Sequence, residues 1–249
     1  MEQKYFNFAD IEAYKKEIST EQIAMSIDER IRYKLASCGV YDVGFAKVPD
    51  GPAGLPYAIA IALPLSDAVI DEIEDAPTYS YFHHYRTMNA YIDRVILEIG
   101  LLLQREGYRY IPIAASQSMP VDGNRNHMGR YSHKKAAALA GLGYIGKSAL
   151  FLHRIYGPRV RLGTVFTDCP LPAFEQIPSS ICHDCNICMK SCPAGAIKGV
   201  EWHENIERSQ MLDADACNSY MRDHFMKVGR GSVCGICIKV CPYSQHTNI

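Results

Sequence analysis

Cys182-His-Asp-Cys185-Asn-Ile-Cys188-Met-Lys-Ser-Cys192-Pro193 puts four thiols into eleven residues, spaced C-x2-C-x2-C-x3-C-P. A second set follows: Cys217, then Cys234-x2-Cys237-x3-Cys241-Pro242. A cubane has four irons, each bound by three sulfides and each needing one thiolate. Three closely spaced cysteines wrap three corners of the cube, and the fourth corner must be reached from elsewhere. The Pro after each set turns the chain away and removes one N–H donor there. Eight of the ten cysteines fall between Cys182 and Cys241, and their spacing predicts two [4Fe–4S] clusters.

The first run has the spacing of a bacterial two-cluster ferredoxin, in which the fourth Cys serves the other cluster. Crossing the assignment in this way gives Cys182, Cys185, Cys188 and Cys241 to one cluster. The other then takes Cys192, Cys217, Cys234 and Cys237, with Cys217 supplied from a separate segment. A disulfide scaffold suits a small secreted domain, which nothing here suggests. Zinc pairs two C-x2-C units across a loop, and four cysteines in one short run suit a single tetrahedral ion poorly. Cys38 and Cys169 lie outside the pattern and read as small buried hydrophobes. The prediction is a protein that moves single electrons.

At 249 residues the chain is long enough for one full-sized core and a small appended module. A net charge of −1 gives no global pull toward nucleic acid or membrane. The opening MEQKYFNFADIEAYKKE is too polar for a signal peptide. The longest apolar run, 57–65, falls far short of the roughly 20 residues a membrane span requires. The expectation is a soluble, cytoplasmic protein with no membrane partner.

The residues before the cysteines carry a different pattern. A helix is expected over 20–38, with Ile23, Ile27, Ile31 and Leu35 on one stripe. Strands are expected at 43–48, 57–65, 108–115, 149–153 and 159–166, the last two flanking a Gly157-Pro158 turn. A long helix should cover 84–106, where Ile92, Val95, Ile96, Ile99, Leu102 and Leu103 recur at helical spacing before Gly107. A short helix is expected at 134–140. Strands and helices mix without a regular βαβ beat, which predicts an α+β core over 1–172. The proline-rich stretch 170–178 would lead into a ferredoxin-like module over 173–249.

One segment imitates a nucleotide site. Gly141-Leu-Gly-Tyr-Ile-Gly146-Lys147-Ser148 satisfies both the P-loop and the dinucleotide patterns. Both mechanisms need a strand before the loop and a helix after it. Here a helix former, capped by Ser132, precedes the loop and a strand former follows, so phosphate binding in that manner is not expected. The glycines permit either a tight turn or close approach of a ligand to backbone, and Gly141 suits a helix C-cap. Between Pro120 and Arg161 there are eight basic residues, Arg125, Arg130, Lys134, Lys135, Lys147, Arg154, Arg159 and Arg161. The only acid is Asp122, leaving +7, a balance that suits an anionic ligand.

The run Ser132-His-Lys-Lys-Ala-Ala-Ala-Leu-Ala-Gly-Leu-Gly-Tyr-Ile-Gly-Lys-Ser-Ala-Leu resembles the AGLGWxGK segment of the epoxyqueuosine reductase family, which is related to reductive dehalogenases. Cys192-Pro-Ala-Gly-Ala-Ile, Cys217-Asn-Ser-Tyr and Cys234-Gly-Ile-Cys-Ile-Lys-Val-Cys-Pro resemble its cluster segments, Cys217 included. The resemblance implies a nitroreductase-like core holding base-off cobalamin above two cubanes. By that resemblance Ser132, His133, Gly141, Leu142, Gly143, Gly146, Lys147, Ser148 and Leu150 would line the corrinoid. Gly157, Arg159 and Arg161 would hold its edge. No D-x-H-x-x-G segment is present to supply a lower ligand from the protein.

Two departures from that family bear on the substrate. Its acidic donor sits in a V-D-x-x-P segment, whereas Val121-Asp122-Gly-Asn-Arg lacks the proline. The chain also stops soon after Cys241, without the family's helical-repeat extension. Both favour a substrate smaller than whole tRNA, with tRNA as the open alternative. Candidate proton donors, in order, are Asp122, Tyr131 and Lys134. The external electron donor would be a low-potential ferredoxin or flavodoxin. Two other readings are a flavin enzyme on the same core, and an electron-transfer or corrinoid-handling protein serving a partner.

Overall fold

The computed structural model describes residues 25–121, 124–125, 127–175, 179–229 and 231–244. Helix α1 (Ile27–Ser37) opens on a capping box in which the Glu29 carboxylate accepts from the Ser26 N–H at 2.8 Å. Strand β1 (Asp42–Lys47) and strand β2 (Tyr57–Pro64) then pair antiparallel, Asp42 opposite Ala62. A short helix α2 (Asp67–Asp71) leads into the long helix α3 (Tyr79–Arg105), and strand β3 (Tyr110–Ile113) follows. Next come a two-residue pair, β4 (Pro120–Val121) with β5 (Asn124–Arg125), and helix α4 (His133–Leu139). A tight hairpin of β6 (Gly143–Ile145) and β7 (Phe151–His153) precedes the last strand, β8 (Val160–Thr167). The main sheet runs β1-β2-β8-β3, antiparallel throughout.

Strand β2 explains how the sheet is covered. Its sequence alternates Ala with Ile or Leu, and a strand sends successive side chains to opposite faces. Ile59, Ile61 and Leu63 pack with Ile31 and Leu35 of α1 and with Ile92, Val95, Ile96, Ile99 and Leu103 of α3. Ala58, Ala60 and Ala62 meet Ala136, Ala137 and Ala138 of α4. One face is therefore thick and the other thin, and burial of each large side chain contributes about 1.5–3 kcal/mol. The result is a mixed α and β fold with helices on both faces of one sheet.

The cysteine-bearing third consists of short helices joined by loops: α5 (Ile187–Lys190), α6 (Arg208–Met211), α7 (Ala214–Phe225) and α8 (Ile236–Lys239). It shares its apolar interior with the preceding fold. Phe225, Val233, Ile236 and Ile238 pack with Leu65, Ile70, Ile73 and Tyr81, and Met211 packs with Ile145 and Ala149. The proline-rich stretch starts as a strap, since the Phe174 N–H donates to the Phe45 carbonyl at 2.9 Å.

Several sequence expectations shift. Helix α3 starts five residues before 84, where Thr78 accepts from the Tyr81 N–H at 3.1 Å as N-cap. The glycine segment, expected as a loop, is in part strand β6. The helix expected over 20–38 is described only from Ile27, and Ile23 lies outside the described residues. Cys169 is fully buried in the core and Cys38 packs at its edge. No helix among the described residues is long and apolar enough to cross a membrane.

Candidate functional site

The buried thiols act on one another in two overlapping sets, with Cys188 reaching both. Burial pushes the Cys241 thiol up to about 11, and Cys182, Cys188 and Cys185 add to the rise. Cys188 is likewise raised by burial, then by Cys182 and Cys185. Around the second set, burial pushes Cys234 up to about 11, with Cys217 and Cys192 adding. Cys237 goes further still, through burial and then Cys234, Cys217, Cys192 and Cys188. Such thiols hold their protons at neutral pH, so any metal centre they bind must displace those protons. Among the described residues no three His, Cys, Asp or Glu side chains converge as tightly as a single ion demands, and a cubane, whose corners stand further apart, makes no such demand.

Local structure presents these thiols. Cys188 and Cys237 are each the second residue of a one-turn helix, α5 and α8, three residues after the loop cysteines Cys185 and Cys234. Cys217 projects from α7, whose N-cap Asp213 accepts from the Ala216 N–H at 2.9 Å. Gly235, at φ +87, brings the Cys234 loop against Ile73 and Tyr81, where a Cβ would come within 2.7 Å of each.

The glycine hairpin lies against this module. Gly141 closes α4: its own N–H and that of Leu142 donate to the Ala138 and Ala137 carbonyls, with φ at +74. Helix before, strand after is the order that excludes a P-loop. The space beside each glycine is filled by the chain itself. A Cβ on Gly141 would meet the Phe174 ring at 2.7 Å, and on Gly143 the Leu152 carbonyl at 2.1 Å. On Gly146 it would come within 2.6 Å of Leu152 and 3.3 Å of Cys182 Sγ, and on Gly157 within 2.0 Å of the Tyr243 carbonyl. The hairpin turn and the Gly157 turn thus abut the segments carrying Cys182 and Cys241.

The polar candidates have definite partners. Ser132 caps α4, accepting from the Lys135 N–H at 3.3 Å. His133 shares a hydrogen bond of 2.8 Å with Thr164 and donates from Nε2 to the Ala114 carbonyl at 3.1 Å. That carbonyl can only accept, which leaves Nδ1 to accept from the Thr164 hydroxyl. Lys147 is buried, its ammonium on the His183 carbonyl, and Ser148 accepts from the Leu150 N–H at 3.4 Å. Leu142 is in the core and Leu150 is half-buried against the second cysteine loop. Arg159 spans Asp67 and Asp71, at 2.8 Å each, and Ser244 at 2.5 Å. Arg161 donates to Asn89 at 2.8 Å and lies over the Tyr85 ring at 4.4 Å.

Of the proton-donor candidates, Asp122 lies outside the described residues. Tyr131 donates to Asp50 at 2.9 Å, and burial together with that carboxylate drives its pKa well above the ordinary phenol value. Lys134 donates to the Ala149 carbonyl at 2.5 Å; burial, then Arg208, lowers its pKa to about 8, while Cys237 opposes. Three of the eight basic residues meet acids from elsewhere in the chain: Lys135 pairs with Asp50 at 2.6 Å, Arg154 lies 3.9 Å from Asp42, and Arg159 pairs with two more. With Arg159 held by Asp67 and Asp71, the +7 does not persist as one patch.

Two clefts open nearby. One of about 430 Å³ is lined by Tyr85, Arg86, Asn89, Asp93, Ser116 and Gln117 among others, beside Arg161. The second, about 440 Å³, has Tyr144, Trp202, His203 and Glu204 in its wall. Sequence reasoning missed Arg208. Arg208 stands outside the basic stretch, and its one signal was a position nine residues before Cys217.

Residues 181–244 match the family of 4Fe-4S double cluster binding domains. The double-cluster region therefore takes in all eight spaced cysteines. An epoxyqueuosine reductase from Pseudomonas aeruginosa is 33% identical over 122 residues, 45% of this chain and 31% of that protein. A reductive dehalogenase, whose structure is described as suggesting a mechanism for B12-dependent dehalogenation, superposes with a TM-score of 0.67 at 18% identity. That match covers 88% of this chain and 32% of the dehalogenase. An epoxyqueuosine reductase solved with an epoxyqueuosine-modified tRNA-Tyr stem loop matches with a TM-score of 0.57 at 18% identity, over 88% of this chain and 65% of that one. The chain spans about a third of the length of the curated relative and is similar to both groups of reductases.

Proposed function

We propose that this chain is an iron–sulfur reductase that carries electrons through two [4Fe–4S] clusters to a cobalamin held in the core over 1–172. The cluster module would occupy 173–249. The single observation that carries the reading is the double-cluster match over 181–244, which takes in all eight spaced cysteines. Cys182, Cys185, Cys188 and Cys241 would hold one cluster, and Cys192, Cys217, Cys234 and Cys237 the other. A buried donor, Arg208 Nε, has no partner among the described residues and sits in the field of Cys217, which suits an anionic cluster there.

The cobalamin reading is supported by the B12-dependent relative and by where the hairpin lies. A group held against the turn at 146–149 would stand beside Cys182, a short path for electrons. Because the glycine flanks are filled by Phe174, Leu152 and Tyr243, the chain would offer the turn's backbone and the polar cleft beside Arg161 and Tyr85. A nitroreductase-like description of the core belongs to the same reading. When bound, cobalamin supplies a low-potential nucleophilic and reducing centre. Of the donors, Lys134 is the one favoured: its Nζ reaches the hairpin turn, while the Tyr131 proton is committed to Asp50. No comparison supports the flavin alternative.

The substrate is proposed to be smaller than whole tRNA, since acids from elsewhere in the chain take up three of the eight basic residues and break the stretch as a patch. The electron donor is proposed to be a low-potential ferredoxin or flavodoxin. Anaerobic reconstitution should give about eight irons and eight sulfides per chain. Stoichiometric zinc or a single cluster would overturn the cluster reading. Chemical reduction of the clusters should then reduce added cobalamin in the absorption spectrum; a cobalamin that stays oxidised beside reduced clusters would leave an electron-transfer role instead. Many turnovers of epoxyqueuosine-containing tRNA to queuosine would overturn the smaller substrate. No turnover, from a preparation whose clusters reduce bound cobalamin, would support it.

A further inference from the structure

Arg208 opens α6 and is half-buried between the two parts of the molecule. Its NH1 donates to the His127 carbonyl, which belongs to the segment that follows β5. Its Nε is buried and has no hydrogen-bond partner among the described residues. It makes no ion pair among them either. The nearby Asp215 is largely solvent-exposed and pairs instead with His127, at 3.0 Å. Lys134 lies within electrostatic reach, so a second cation occupies the same region with only the Ala149 carbonyl as its partner among the described residues. Leaving one buried N–H of a charged group unpaired forfeits its solvation with nothing in return. Two cations facing one another add repulsion to that cost.

Cys217, on the helix that follows α6, lies within electrostatic reach of Arg208. A cubane bound by four thiolates is anionic, and its sulfurs accept hydrogen bonds. We propose that Arg208 is the counter-charge and N–H donor of the cluster held by Cys192, Cys217, Cys234 and Cys237, and that it raises the reduction potential of that cluster alone. The inference rests on the two-cluster reading above. On reduction the cluster gains one electron from a low-potential one-electron donor, which is oxidised in turn; no bond breaks. The added negative charge strengthens the attraction to the guanidinium, so the reduced form is favoured more than the oxidised one. Net charge and hydrogen bonds to sulfur are among the main determinants of cluster potential.

The test is a redox titration of the anaerobically reconstituted protein, followed by electron paramagnetic resonance. Arg208→Met should lower one of the two potentials by at least roughly 59 mV, a tenfold fall in the equilibrium constant for reduction, and leave the other in place. If Arg208→Met does not assemble eight irons, Arg208→Lys carries the test: it keeps the charge, drops the Nε donor, and should lower the same potential by a smaller amount. Two unmoved potentials in an eight-iron variant would overturn the inference and leave the two-cluster reading intact. A wild-type protein without eight irons would instead overturn the reading beneath it.

Discussion

Cys217 is the residue on which the thiol assignment turns, because it comes from a helix and not from a cysteine run. Cys217→Ser should leave about four irons per chain, since Cys182, Cys185, Cys188 and Cys241 keep a full set of thiolates. Iron and sulfide analysis decides it, and a loss of all iron would show that the clusters assemble as a unit. At the same scale Lys134 does structural duty. Its ammonium caps the carbonyl of Ala149, a non-glycine residue at φ +57. Lys134→Met should cost about 1.5–3 kcal/mol, the worth of a hydrogen bond to a charged group, read as a lower urea midpoint. The cysteines announced their chemistry through spacing alone, whereas the basic residues did not. Lys135, Arg154 and Arg159 meet Asp50, Asp42, Asp67 and Asp71, which lie far away in sequence, and only folding reveals the neutralisation.

The elements show the same division between local and distant information. Strands β1, β2 and β8 follow alternation and fall within two residues of where the pattern puts them. The first turns of α3 turn Tyr81 and Phe82 toward the cysteine module and not onto the stripe of Ile92, Ile96 and Ile99, so the Thr78 cap marks the true start. Strand β6 hides in a glycine-rich run because its partner, β7, is needed to define it. Two substitutions probe the turns that join hairpin and module. Gly157→Ala would have to relieve a left-handed conformation, a cost of about 1–2 kcal/mol. It would also have to move the Tyr243 carbonyl, 2.0 Å from the new Cβ. It should lower the thermal midpoint and selectively reduce occupancy of the cluster served by Cys241. Ala149→Gly works in the other direction, removing a Cβ from a left-handed position, and should gain up to about 1 kcal/mol. Unchanged stability in both variants would mean that these turns are not strained.

Across the whole molecule, partly and fully buried histidines set the acid limit. His133, His153 and His84 are each held below the ordinary imidazole pKa, in every case chiefly by burial. The folded values lie below the unfolded ones, so the unfolded chain binds more protons as pH drops below about 6.5. Stability from this source is complete above that pH and is lost on acidification. Urea midpoints should fall between pH 7.5 and 5.5, and His133→Gln should flatten the slope; an equal slope in both proteins would refute the linkage. The central sheet has another consequence, in the time domain of synthesis. Strand β8 lies between β2 and β3, and Tyr57 pairs with Thr167 across 110 residues of chain. Until β8 has been made, β2 and β3 have no common partner, and contacts of such long separation form slowly. Cys182 follows Thr167 by 15 residues, about one to three seconds at typical elongation rates. The thiols therefore emerge from the ribosome just as the surface that receives them is being completed, a short window in which iron delivery and sheet closure would compete.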